Sequence, residues 1–281
     1  MLEFWVIGAE IIFLLLILIA IFILLVMRRD LEQQKKDFNN EITELEDHRD
    51  FLNNAGARLL ELKSALELER EKSDKLLRNI LPERVIKDLQ EKGTSQPERF
   101  EYVAVFFADI VNFTGIVPEM EPEELVCELN DIFGTFDRIF ARHNCERIKT
   151  VGDAYMAAAG MRKTDGDPCC NILYAALEAR NALLERNQRP ASRQWQMRFG
   201  VNTGPVIGGI VGQEKYIYDI FGDTVNMASR IEHSSEAMKI NVPEKIVLAM
   251  ENKFDFAHRG RFEVKGRGEI EMYFLNGTKK L

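Results

Sequence analysis

The chain is poor in cysteine, in proline and in positive charge. Of its 281 residues only 4 are cysteine and 8 are proline, and 45 acidic against 37 basic side chains give a net charge of −8. The cysteines, two of them adjacent, lack the spacing of a metal motif or a disulfide framework, which favours thiols in a reducing compartment. The missing basic surplus argues against a nucleic-acid partner. A hydrophobic content of 46% excludes wholesale disorder.

Residues 4–27 lack charge almost completely, since Glu10 is the only ionisable residue among them. A helix of this length covers roughly 36 Å, against about 30 Å for a hydrocarbon core. The run is too long for a signal peptide and has no basic residue before it. Arg28 and Arg29 follow it, which predicts that the C-terminal bulk is cytoplasmic. We therefore expect a single-pass helix in the cell membrane within residues 1–29.

Residues 31–81 contain no glycine or proline except Gly56. Apolar side chains recur there at seven-residue spacing, at Leu31, Phe38, Leu45, Leu52, Leu59 and Leu66. One good stripe and a poorer companion stripe predict a parallel, two-stranded coiled coil over residues 30–81 that transmits a signal. The alternative is a single solvated helix.

Pro82 interrupts this helix, and a short helical lead-in is expected in residues 82–98, with Gly93 as its stop. Residues 99–281 have the size of one globular domain. We expect buried or paired strands at 102–108, 146–151, 154–160, 195–202 and 205–212. Helical periodicity covers 122–143, 168–187 and 224–234. This order predicts an α+β fold with helices on one face of a mainly antiparallel sheet.

Acidic and basic side chains mark four points of this domain. Asp109 ends a buried strand and Asp153 lies in a Gly-Asp hairpin; each alone is also typical of a cap or a turn. In a ferredoxin-like core the two carboxylates would converge, which suits Mg²⁺. Asn226 and Arg230 share one helix face and could contact a sugar and a phosphate, or be a surface pair. Lys265 lies in a glycine-flanked turn.

Five segments resemble, in the correct order, the signature segments of class III nucleotidyl cyclases. They are FFADIVNFT, IKTVGDAYMAAAG, RFGVNTGPVIGG, YDIFGDTVNMASRIE and VKGRGE. The resemblance covers nearly all of residues 99–276, and LLRNILPERVIKDL resembles the helical lead-in of many such domains. It implies a ferredoxin-like class III cyclase catalytic domain of the adenylate cyclase type. The membrane anchor and the coiled coil before it are expected from the apolar run and the heptad spacing.

The resemblance also implies roles for the matched residues. Asp109 and Asp153, with the backbone carbonyl of Ile110, match the ligands of two Mg²⁺ (or Mn²⁺) ions. Asn226 and Arg230 match the catalytic pair that orients the ribose and stabilises the transition state. The expected reaction converts ATP to 3′,5′-cyclic AMP and pyrophosphate by in-line attack of the ribose 3′-oxygen on the α-phosphorus.

The remaining matched residues concern the substrate. Arg198 and Lys265 match cations that hold the triphosphate, and Lys149 and Asp219 match the two base-selecting positions. Adenylate cyclases carry Lys and Asp (or Thr) there, whereas guanylate cyclases carry Glu and Cys. Asp219 can accept from adenine N6 and Lys149 can donate to N1, while guanine presents the opposite polarity. A guanylate or mixed-specificity cyclase is the alternative.

In the family the site lies between two subunits, which predicts a homodimer with two equivalent sites. One subunit supplies Asp109, Asp153 and Arg198; the other supplies Lys149, Asp219, Asn226, Arg230 and Lys265. A membrane-anchored nucleotide-binding sensor without turnover and a coiled-coil scaffold are alternatives of other classes. The stimulus is not evident, and we expect either a partner membrane protein or an upstream sensor in a larger receptor.

Overall fold

The computed structural model describes the backbone and side chains of most of the chain. The described residues are 2–162, 166–190, 193–212, 215–264 and 267–279, with the backbone alone at 2–7 and 9–12. The chain divides into two compact units, residues 1–76 and 77–281.

The first unit belongs to one long helix, α1, which runs from Leu2 to Arg78. Its heptad-spaced side chains are exposed, Leu31 by 64% and Leu66 by 71%. The two-stranded coiled coil stays a prediction. Among the described residues, no helix is both long enough and apolar enough to cross a membrane. The expected span at 4–27 includes residues 4–7 and 9–12, whose side chains lie outside the described part.

The second unit contains a mixed α/β domain preceded by the lead-in helix. Its helices are α2 (Glu83–Lys92), α3 (Phe113–Ile116), α4 (Pro122–Arg142), α5 (Pro168–Asn187), α6 (Asp223–His233) and α7 (Glu244–Met250), with a 3₁₀ turn at Val117–Glu119. Its strands are β1 (Glu98–Ile110), β2 (Glu146–Val151), β3 (Ala154–Ala159), β4 (Met197–Val211), β5 (Ile217–Phe221), β6 (Ile240–Pro243), β7 (Phe254–Val264) and β8 (Gly268–Thr278).

In the described residues these strands form one sheet in the order β2-β3-β1-β4-β6-β8-β7, with β5 paired to β4. The β2-β3-β1-β4 part has the expected ferredoxin-like order, and its neighbours are antiparallel. The pairing of β4 with β6 is parallel, so the sheet is mixed. β1 is central and pairs with β3 on one side and β4 on the other.

The two strands predicted at 195–202 and 205–212 are one strand, β4. The two expected strands left only residues 203–204 (Thr-Gly) for a turn, but β4 continues through Gly204 and keeps its pairing with β1 across an irregularity between Phe100 and Val103. Gly204 has φ +150°, and a Cβ there would lie 2.6 Å from Oγ1 of Thr224. The missing side chain therefore lets the strand pass under α6 instead of turning.

The prediction that the helices share one face of the sheet is wrong. Ala104, Phe106 and Ala108 of β1 belong to the large apolar cluster that includes α4 and α5. Val103 and Val105 point to the opposite face and pack with Ala228 of α6 in a second cluster. Alternate residues of a strand face opposite sides, so α6 lies across the sheet from α4 and α5.

The lead-in helix α2 agrees with the sequence prediction. Pro82 caps its start, and Gly93 ends it with φ +70°. Leu81, Val85 and Ile86 are buried, with Ile210 and Tyr218 packed against them. The segment after α1 is thus part of the domain's packing.

Candidate active site

The first polar group forms where β1 ends. Asp109 lies directly opposite Arg198 in the register of β1 and β4. Nη2 of Arg198 donates to Oδ2 of Asp109 at 2.7 Å, and both side chains are about a quarter exposed. The charge-assisted bond therefore joins a predicted metal ligand to a predicted triphosphate-binding residue.

Asp153 joins this group from the turn between β2 and β3. Gly152 before it has φ +63°, which favours glycine in the tight turn. Because β3 pairs with β1, the turn comes beside the end of β1. Burial raises the pKa of Asp153 and the nearby Asp109 carboxylate raises it further, while the backbone amides of Asp153 and Ile110 act in the opposite direction. Asp109, Asp153 and Arg198 are called the carboxylate cluster below.

The carboxylate cluster suits a hard divalent cation. Like charges on Asp109 and Asp153 oppose each other, and a cation between them would relieve that repulsion. In the part of the chain that the structure describes, no group of three or more His, Cys, Asp or Glu residues could hold a metal. Mg²⁺ needs no such group, because one or two carboxylates with waters and substrate phosphates complete its shell. The donor set therefore fits Mg²⁺ or Mn²⁺.

Glu232 also reaches this cluster, although sequence reasoning gave it no role. Its Oε1 accepts from Nε of Arg198 at 3.1 Å, and only 7% of its side chain is exposed. Burial raises the pKa of Glu232 to about 7, Asp109 raises it as well, and Arg198 lowers it. One sequence pattern could have indicated a role for Glu232. It is an acid four residues after Ala228 and therefore lies on the apolar, buried face of α6.

Lys149 and Asp219 form a second polar group. They are 70 residues apart in sequence, on β2 and β5, and Nζ of Lys149 donates to Oδ2 of Asp219 at 2.5 Å. The other oxygen, Oδ1, accepts from the backbone N–H of Ile220 at 2.9 Å. The Asp219 side chain is 12% exposed and that of Lys149 35%. A fixed acceptor and a fixed donor thus lie side by side at a partly open position.

The other predicted site residues lie on α6 or outside the described part. Asn226 and Arg230 are four residues apart on α6, with Asn226 exposed and Arg230 half-buried. Ile110, whose carbonyl was predicted to be a ligand, is a buried residue at the end of β1. Lys265 lies outside the described residues.

The catalytic-domain family "Adenylate and Guanylate cyclase catalytic domain" matches residues 95–277 of the chain. Guanylyl cyclase C of Homo sapiens is 39% identical over 217 residues, which are 75% of this chain and 20% of that protein. The chain thus spans about a fifth of the length of this curated relative.

Two solved structures are similar to the domain. The guanylate cyclase domain of RhGC from Catenaria anguillulae, in complex with GTP, has a TM-score of 0.61 at 29% identity and covers 65% of this chain and 100% of that one. The adenylyl cyclase CyaB from P. aeruginosa has a TM-score of 0.60 at 26% identity and covers 66% of this chain and 98% of that one.

Replacing Asp153 with Asn should separate cation binding from folding. The variant loses one of two opposed carboxylates, so it should melt at a higher temperature than the wild type in metal-free buffer. With Mn²⁺ at about 100 times its Kd, the wild type should gain about 2.7 kcal/mol of stability, and the variant should lose most of that gain. Thermal melts with and without Mn²⁺ measure both effects.

Glu185→Gln, which removes an exposed carboxylate from α5, is the matched control and should keep the full Mn²⁺ response. An equal Mn²⁺ shift in Asp153→Asn and the wild type would contradict a cation site at the carboxylate cluster.

Proposed function

The chain belongs to the family of adenylate and guanylate cyclase catalytic domains, and from that premise we propose that it is an adenylate cyclase. It would convert ATP to 3′,5′-cyclic AMP and pyrophosphate. The observation that carries the choice of ATP is the contact between Lys149 and Asp219 at 2.5 Å.

The polarity of this pair favours adenine. An ionised carboxylate only accepts hydrogen bonds and an ammonium only donates them. Asp219 can accept from the N6 amino group of adenine, and Lys149 can donate to N1. Guanine has an acceptor at O6 and a donor at N1. In the same placement the Asp219 carboxylate would face the O6 acceptor and the Lys149 ammonium would face the N1 donor. An unsatisfied buried polar group costs about 1 to 3 kcal/mol, which corresponds to roughly 5-fold to 150-fold in selectivity.

GTP is the second candidate substrate, and a specific observation favours it. Similar curated proteins are guanylyl cyclases, including guanylyl cyclase C at 39% identity. The structural neighbour CyaB, in contrast, is an adenylyl cyclase. The family includes enzymes for both bases, so the fold does not decide between ATP and GTP. The proposal of ATP therefore rests on the side chains of Lys149 and Asp219.

The chain's own residues would act as follows. Arg198 would hold the triphosphate through the terminal nitrogens of its guanidinium, which are bidentate donors to phosphate. Asn226 would orient the ribose, and Arg230 would neutralise charge developing at the α-phosphate. Lys265 would add a second cation to the triphosphate. No side chain is assigned as general base.

Asp109, Asp153 and the carbonyl of Ile110 would hold two divalent cations. When bound, such ions lower the pKa of an attacking hydroxyl and neutralise the leaving group. Asp153 is suited to this role because its carboxylate already converges with that of Asp109.

The active sites would lie at the interface of a homodimer. Cyclase domains bind a nucleotide and function as dimers. In one chain the carboxylate cluster and the Lys149–Asp219 pair form separate groups, each with its own contacts. A two-fold axis would bring the cluster of one protomer to the Lys149–Asp219 pair, Asn226 and Arg230 of the other.

Turnover of both nucleotides by the full-length chain tests the substrate directly. With Mg²⁺ or Mn²⁺ we expect cyclic AMP from ATP and little cyclic GMP from GTP. Changing Lys149→Glu together with Asp219→Cys should shift the ratio of kcat/KM values toward GTP by on the order of 100-fold. Arg142→Glu with Glu178→Cys, a similar change at an exposed pair between α4 and α5, should leave the ratio unchanged. Cyclic GMP as the main wild-type product would establish the guanylate alternative, and nucleotide binding without product would favour a sensor.

Mixing two inactive variants tests the shared site. Asp109→Ala and Asn226→Ala should each abolish turnover, because each removes one half of both sites. Random mixing gives half heterodimers with one intact site of two, so about a quarter of the wild-type activity should return. Activity assays on the mixture, in which heterodimer formation is verified, measure the recovery, and none at all would refute a site built from two protomers.

Anchorage in the cell membrane, with the catalytic domain on the cytoplasmic side, is also proposed. The side chains from Phe13 to Met27 include large apolar groups exposed by 41–67%. Full-length protein expressed in cells should pellet with membranes and resist extraction at alkaline pH. In sealed vesicles of known orientation, protease should reach the catalytic domain only from the cytoplasmic side. Release of the chain into the wash would contradict anchorage, and cleavage from the opposite side would reverse the orientation.

A further inference from the structure

We propose that Glu232 is a positioning residue that holds Arg198 in its productive orientation for the nucleotide triphosphate. The inference rests on the proposed function, which gives Arg198 its role. Arg198 is bound through two of its three guanidinium nitrogens. Nε donates to Glu232 at 3.1 Å and Nη2 donates to Asp109 at 2.7 Å.

Burial makes the Glu232 contact more than a surface ion pair. The Glu232 side chain is 7% exposed, whereas Arg198 is 23% exposed. Taking a carboxylate out of water is costly, and apolar side chains of similar volume often stabilise a core equally well. Stability alone therefore does not explain an acid at this position of α6, whereas a fixed acceptor for Nε of Arg198 does.

The backbone is arranged to allow the contact. Gly200 follows Arg198 by two residues on β4, so both positions face the same side of the sheet. A Cβ on Gly200 would lie 2.3 Å from the backbone nitrogen of Glu232 and 2.7 Å from its Cβ. Only glycine permits this approach, which brings the end of α6 onto β4 beside Arg198.

The guanidinium has five N–H groups. Nε gives its single N–H to Glu232 and Nη2 gives one N–H to Asp109, so N–H groups of Nη1 and Nη2 remain for phosphate oxygens. Arg198 already shares Asp109 with the proposed cation site. Without the second anchor at Glu232, the guanidinium could shift further toward Asp109 and Asp153 and compete with the cations for their oxygens. Glu232 thus limits how far Arg198 engages the side chains proposed to hold cations.

The helix that carries Glu232 also carries Asn226 and Arg230. At about 100° per residue, Glu232 is roughly 200° around α6 from Arg230. In a homodimer, α6 would supply Asn226 and Arg230 to one site and Glu232 to the other. A shift of this helix would then change both sites together.

The test compares Glu232→Ala, Glu232→Gln, Arg198→Ala and the Ala–Ala double variant in the full chain. Glu232→Ala should lower kcat/KM for ATP by about 10-fold to 100-fold, as expected for misplacement of a binding group. Glu232→Gln keeps an oxygen acceptor for Nε and should recover most of the loss. If Glu232 acts only through Arg198, adding Glu232→Ala to Arg198→Ala should cost about twofold or less.

Equilibrium binding of ATP with Mn²⁺, in the same variants, gives a readout independent of turnover. Glu128→Ala is the matched control, since it removes a partly buried carboxylate paired with Arg186 at 2.8 Å away from the cluster. It should lower the melting temperature without selectively weakening ATP binding.

Independent, multiplicative effects of the Glu232 and Arg198 variants would overturn the inference. So would wild-type ATP affinity in Glu232→Ala, or a profile like that of Glu128→Ala. If the wild type binds ATP but makes no cyclic nucleotide, the proposed function fails, while weaker binding by Glu232→Ala alone would still support positioning. If the wild type neither binds nor converts ATP or GTP, both proposals fail.

Discussion

The antiparallel pairing of β1 with β4 is the constraint on which the carboxylate cluster depends. It places Asp109 opposite Arg198 at the point where β1 leaves the sheet. A slip of one residue would turn one of these side chains to the other face. The opposite side of β1 pairs with β3, which brings the turn with Asp153 to the same place. One central strand therefore positions side chains from three parts of the sequence.

One face of this sheet carries the main apolar core, and the other carries the candidate site. One face packs against α4 and α5, where Phe106 and Phe140 have ring centroids 4.8 Å apart in a fully buried layer. The other face receives α6, whose close approach Gly200 permits. Removing a side chain on a strand exposes backbone and costs some local stability. That cost is offset where the close contact places Glu232 beside Arg198.

Local patterns predicted the elements well but could not predict every tertiary contact. The meeting of Asp109 with Asp153 follows from a strand end and a hairpin once a ferredoxin-like strand order is assumed, and the sequence predicted it on that condition. No local pattern links Lys149 with Asp219, and only the family resemblance indicated both. The position of α6 was missed because helical periodicity does not say which face of a sheet a helix covers. The role of Glu232 was missed for the same reason, since it depends on the close approach of α6 to β4 at Gly200.

Substrate choice is the point at which overall similarity and local chemistry disagree. An identity of 39% over 217 residues is an average over the whole domain. The hydrogen-bonding edge of the nucleotide base, in contrast, would contact only the two side chains of Lys149 and Asp219. A hydroxyl can rotate and an amide can flip, so either could serve both bases. Asp219 and Lys149 cannot exchange polarity, because an ionised carboxylate has no donor and an ammonium has no acceptor. The backbone N–H of Ile220 donates to Oδ1 of Asp219 and further fixes the orientation of this carboxylate. If the pair meets the base as proposed, its fixed polarity would decide between adenine and guanine more directly than the average identity of the domain does.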